Sequence, residues 1–118
     1  MVKRVLITDD ALFIRVALKN ILEKNGFVVV GEAENGFSAI EKYKLLKPDI
    51  VTLDITMPVM GGLDALKHIR AFDKNAKVLM ISSMGQESVV REAVISGALG
   101  FLIKPFNEET IVKSLSKL

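Results

Sequence analysis

The sequence predicts an α/β fold, an open and doubly wound parallel sheet built from five strand–helix units. Five short apolar runs alternate with five longer segments of helical period. The runs are continuously apolar, as expected of strands covered by helices on both faces. Five units are too few to close an eight-stranded barrel, so the sheet must stay open. At 118 residues, 50% hydrophobic and 25% charged, the chain suits one domain over residues 1–118 with ample core.

Val5-Leu6-Ile7 is the first strand, ended by Asp9-Asp10. Ile14, Ala17, Leu18, Ile21 and Leu22 then recur at three- and four-residue spacing, one face of a helix that Asn25-Gly26 stops. Phe27-Val28-Val29-Val30 is the second strand. Asn35-Gly36 opens a helix carrying Ala39, Ile40, Tyr43 and Leu46, which ends at Lys47-Pro48 because the residue before proline disfavours helical geometry. The third strand, Asp49 to Asp54, is apolar inside and acidic at its end. After the loop Met57-Pro58-Val59-Met60-Gly61-Gly62, a third helix runs through Leu63, Leu66 and Ile69. Val78 to Ile81 is the fourth strand, and the helix after it is expected to bury Val89, Val90, Ala93 and Val94 before Gly97 closes it. Phe101-Leu102-Ile103 is the fifth strand. Asn107 then caps a last helix, whose first turn carries Glu108 and Glu109 and whose inner face is Ile111, Leu115 and Leu118.

Composition excludes several classes. With no cysteine there are no disulfides, thiolate metal sites or thiol catalysis, which suits a reducing cytoplasm. One histidine, His68, leaves nothing for a histidine metal centre. The apolar run after Lys3-Arg4 stops at Asp9, too short for a signal peptide, and no stretch could span a bilayer. The net charge of +2 is scattered and aromatics are few, so direct nucleic-acid binding is not expected.

In sheets of this kind ligands bind outside the carboxyl ends of the strands. Strand one stops at Asp9 and Asp10, strand three at Asp54, strand four at Ser82 and Ser83, strand five at Lys104. If these strands are neighbours, three carboxylates, two hydroxyls and one ammonium meet on one rim. Such crowding calls for a cation, and hard oxygen donors select magnesium. Taken singly, each has a plainer explanation: a helix cap, a turn aspartate, a loop start, an ordinary Lys-Pro turn. Their joint occurrence at four strand ends argues for a site.

On these residues the chain resembles the response-regulator receiver domain. The matching motifs are Asp9-Asp10, Asp54 at the end of Pro48-Asp49-Ile50-Val51-Thr52-Leu53, Met57-Pro58, Gly61-Gly62, Ser82 and Lys104-Pro105-Phe106, covering essentially the whole chain. The resemblance implies a flavodoxin-like strand order 2-1-3-4-5. It implies that Asp54 is the phosphoacceptor, with Lys104 and Ser82 assisting, and that magnesium sits on Asp10, Asp54 and the Thr56 backbone carbonyl, with Asp9 reached mainly through water. Ser82 and Phe101 would form the switch, reporting to a face made by the fourth helix, fifth strand and fifth helix. Among receivers, the likeness is greatest to single-domain chemotaxis regulators. That implies a cytoplasmic monomer, not an enzyme, phosphorylated by a histidine kinase, served by a phosphatase and acting on a flagellar switch protein.

Three other readings compete with this one. A receiver from a longer transcriptional regulator would look the same. A haloacid-dehalogenase-type phosphatase needs an acid two residues after its nucleophile, where this chain has Thr56. A flavodoxin needs a hydroxyl-rich phosphate loop after strand one, where Asp9-Asp10 would repel the phosphate.

Overall fold

The computed structural model describes residues 2–118. The elements are β1 (Arg4–Thr8), α1 (Leu12–Lys24), β2 (Val28–Ala33), α2 (Gly36–Leu46), β3 (Ile50–Leu53), α3 (Gly62–Phe72), β4 (Val78–Ser82), α4 (Glu87–Ile95), β5 (Gly100–Ile103) and α5 (Glu108–Ser116). All strand pairs are parallel, in the order β2-β1-β3-β4-β5.

The apolar strands divide their side chains between two cores, because alternate residues point to opposite faces. Val5, Ile7, Ile50, Leu79 and Ile81 pack with Leu18 and Leu22 of α1 and Ile111 and Leu115 of α5. Leu6, Val51, Leu53, Val78 and Met80 pack on the other face with residues of α2, α3 and α4. Helix ends follow local chemistry. The Asn35 and Asn107 side chains accept from the Ser38 and Thr110 N–H groups. Gly26, at φ +87°, turns the chain out of α1 where a side chain would be strained.

Three expectations need correction. β2 starts one residue later and runs three residues further than its apolar stretch, through Gly31-Glu32-Ala33. Pairing with β1 extends it: Leu6, Ile7 and Thr8 meet Gly31, Glu32 and Ala33. Val94 is 58% exposed rather than buried. Only Ala93 of α4 is fully buried, with Val89 and Val90 half-covered, so the helix lies lightly on the sheet. Asp49 and Asp54 flank β3 rather than belonging to it.

The loop after β3 carries a strained residue. The Met60 N–H donates to the Pro58 carbonyl at 2.7 Å, closing a three-residue turn with Val59 at φ +68°. A β-branched residue is disfavoured there, and Val59 is 85% exposed, so packing gives little back. Val59→Asn should therefore stabilise the fold by about 1 kcal/mol. A urea midpoint that does not rise would contradict this.

Candidate functional site

Asp9 and Asp54 each lie one residue past a strand, and main-chain bonds carry the sheet on to them. The Asp9 N–H donates to the Ala33 carbonyl at 3.1 Å, and the Asp54 N–H to the Thr8 carbonyl at 3.1 Å. Since β1 and β3 are neighbours, the two acids end up side by side. Ser82 ends β4, and the Lys104 N–H donates to its carbonyl at 2.9 Å, bringing Lys104 to the same rim.

One carboxylate oxygen from each of Asp9, Asp10 and Asp54 lies within 4.8 Å of the others. Lys104 Nζ is 2.7 Å from Asp9 Oδ2 and 3.5 Å from Asp54 Oδ2. Three carboxylates against one ammonium leave two negative charges uncompensated in the cluster. Burial, then the Asp9 charge, pushes the Asp54 carboxyl above the ordinary carboxylate range, opposed by Lys104 and by the Ile55 N–H donating to Asp54 Oδ1 at 2.8 Å.

Asp9 is the most constrained member. It is 1% exposed, its Oδ1 accepts the Ala11 N–H at 2.9 Å and its Oδ2 holds Lys104. Asp9 thus also performs the plainer role of bonding the start of α1, whose N-cap Ala11 has no side chain to do so. Asp10 is exposed, and its carboxylate has no hydrogen bond or ion pair among the described residues. This all-oxygen, over-negative set with one free carboxylate fits a hard divalent cation such as magnesium.

Ser82 is 1% exposed, and its Oγ accepts the Met84 N–H at 3.1 Å, which leaves the hydroxyl hydrogen free to donate. The Thr56 hydroxyl donates to Met84 Sδ at 3.1 Å, joining the loops after β3 and β4. Phe101 is half-buried and packs against the α2–α4 core, as do Met84 and Val89. His68 lies away from the rim, exposed on α3, with its ring nitrogen donating to the Asp64 carbonyl.

Arg15 is a site neighbour that no strand-end pattern marks. It is 8% exposed on the buried face of α1 with Leu18 and Leu22. Its Nη1 donates to the Asp9 carbonyl at 2.7 Å and its Nε to Glu32 Oε1 at 2.9 Å. The available signal was an arginine three and seven residues before two core leucines.

Residues 5–116 match the response regulator receiver domain. The chain is 55% identical over 118 residues to the chemotaxis protein CheY of Thermotoga maritima, covering 100% of this chain and 98% of that one. It is 51% identical to the CheY of Bacillus subtilis, covering 99% and 98%. A chain in the crystal structure of a CheX–CheY–BeF3–magnesium complex from Borrelia burgdorferi superposes with a TM-score of 0.94 at 41% identity, over 98% of this chain and 87% of that one.

Proposed function

The chain belongs to the response regulator receiver domain family, and on that premise we propose that it is a phosphoacceptor signalling protein of chemotaxis, phosphorylated on Asp54 by a histidine kinase. The observation that carries this reading is the Asp9–Asp10–Asp54 cluster with Lys104 reaching into it.

An Asp54 carboxylate oxygen attacks the phosphorus of a phosphohistidine. The new O–P bond forms as the N–P bond breaks, and the imidazole leaves. Magnesium held by Asp10, Asp54 and the Thr56 carbonyl, with Asp9 through water, would supply the charge neutralisation that attack on a phosphoryl group demands. Lys104, already 3.5 Å from Asp54, turns from the carboxylates to a phosphoryl oxygen. Ser82 donates its free hydrogen to another. Positioning and charge are most of what phosphoryl transfer asks of a protein, so few residues suffice.

Incubation with a small acyl phosphate and magnesium tests this: the expected result is a mass gain of one phosphate. No gain at saturating donor would end the proposal. Magnesium alone should also raise the melting temperature, because it binds the folded state and relieves the crowded acids. At a hundred times its dissociation constant the gain is about 2.7 kcal/mol. A melt indifferent to millimolar magnesium would count against the cluster as a metal site.

Output follows from Ser82 moving toward the phosphoryl group, which opens space for Phe101 to turn inward and reshapes the face of α4, β5 and α5. The light packing of α4 supports this, since an element held by few buried residues is easily biased. Val94, Ile95, Leu99 and Ile103 leave apolar surface on that face for a partner, which the likeness to chemotaxis proteins suggests is a flagellar switch protein. The same likeness supports a cytoplasmic monomer whose signal a phosphatase ends. With beryllofluoride as the phosphoryl mimic, amide chemical shifts should change around Asp54, Ser82 and Phe101 and through α4 and α5. Changes confined to the metal rim would exclude the switch.

A further inference from the structure

We propose that Arg15 is a positioning residue of the metal rim, acting through the peptide that joins Asp9 to Asp10; this rests on reading the rim as a magnesium site. The guanidinium occupies a place in α1 that the helical period reserves for an apolar side chain, and it is 8% exposed. Burying a cation is costly unless it is paired and hydrogen-bonded, so its partners indicate its role. One partner is Glu32, at the carboxyl end of β2, which binds Nε at 2.9 Å. The other is the Asp9 carbonyl oxygen, bonded to Nη1 at 2.7 Å.

That carbonyl belongs to the peptide whose nitrogen is Asp10's. Fixing this one plane limits the directions in which both carboxylates leave the main chain. The remaining groups of Asp9 are held as well: its N–H by Ala33, Oδ1 by the Ala11 N–H and Oδ2 by Lys104. Asp10, by contrast, has no partner for its carboxylate among the described residues. The main chain therefore alone fixes where its Cα–Cβ bond points, and Arg15 is the side chain that clamps that main chain. A planar guanidinium suits the task, because two of its donors reach Glu32 and Asp9 in a fixed fork that an ammonium cannot reproduce.

Charge and geometry predict opposite outcomes, which makes the role testable. Arg15 is a cation beside a cation site, so removing its charge should tighten magnesium binding if electrostatics were its main effect. If it positions the acids, removal should weaken binding. The expected result for Arg15→Met is a magnesium dissociation constant about tenfold higher, the lower end of losses seen when outer partners of metal ligands are removed. Arg15→Lys keeps the charge but loses the fork, and should fall between Arg15→Met and the parent, about threefold weaker than the latter. Calorimetric titration of each folded variant with magnesium reads this directly, without phosphorylation. Binding by Arg15→Met as tight as the parent's or tighter would overturn the proposal. Should that variant fail to fold, parental affinity in Arg15→Lys would overturn it. Failure of the parent itself to bind magnesium would instead remove the reading of the rim on which the proposal stands.

Discussion

Asp54→Asn should take up no phosphate from an acyl phosphate under conditions in which the parent gains one per chain. The loss should be complete because the other two acids are unsuitable nucleophiles. Asp9 is buried with both oxygens engaged, by the Ala11 N–H and by Lys104. Asp10 is exposed and forms no ion pair with Lys104, which pairs with Asp9 and Asp54. Mass spectrometry decides the matter, and any stoichiometric label in the variant would reassign the acceptor. The same substitution should not weaken the fold. Burial and the Asp9 charge raise the Asp54 carboxyl above its unfolded value, so the folded state holds that proton more tightly. Stability then falls as pH rises from the unfolded value, about 3.9, through the raised one. Asparagine removes the charge and can still accept the Ile55 N–H. Without magnesium, Asp54→Asn should therefore melt above the parent at pH 7, with the difference shrinking as the pH is lowered through that window. A lower melting temperature at neutral pH would contradict this.

Gly62→Ala should damage both stability and chemistry. Gly62 begins α3 with its N–H donating to the Ile55 carbonyl at 2.8 Å. A Cβ there would stand 1.9 Å from the Asp54 carbonyl oxygen, 2.7 Å from its carbon and 3.1 Å from Ile55 Cα. These are main-chain atoms, with no flexible side-chain tip to swing aside. Its φ is not positive, so the requirement is one of space rather than of left-handed backbone. Either α3 backs away from the sheet or the chain at Asp54 shifts. Overpacking of this kind costs about 3 kcal/mol, and displacing the nucleophile by about 1 Å can slow reaction on the order of a hundredfold. Urea unfolding and the rate of phosphate uptake measure the two effects. A variant with parental values of both would show that the loop yields freely.

Why some features could be read from the residues and others could not is clearest at particular positions. The strands β1, β3 and β4 were visible because Val5-Leu6-Ile7, Ile50-Val51 and Val78 to Ile81 are covered on both faces, so their apolar runs are unbroken. β2 lies at the sheet edge, where Gly31 and Glu32 meet less of the core and break the apolar run before the buried Ala33. Val94 fits the helical period of α4 yet faces outward, because a period marks a stripe without saying how far the sheet reaches under it. Arg15 carries no sequence signal of its role, because one charged residue in an apolar stripe shows its purpose only through partners on other elements.

Sequence alone determined the five strand–helix units and the acids, hydroxyl and lysine at the strand ends, because local period and the limits of apolar runs are properties of neighbouring residues. The order 2-1-3-4-5 came from resemblance rather than from the alternation of elements, and the structure bears it out. Only the tertiary structure decided that Lys104 pairs with Asp9, 95 positions away, that Gly62 lies against the Asp54 carbonyl, and that Arg15 clamps the Asp9–Asp10 peptide. These contacts join separate elements of the chain. They exist because parallel strands brought side by side carry their ends to one rim, and no local pattern of residues encodes that meeting.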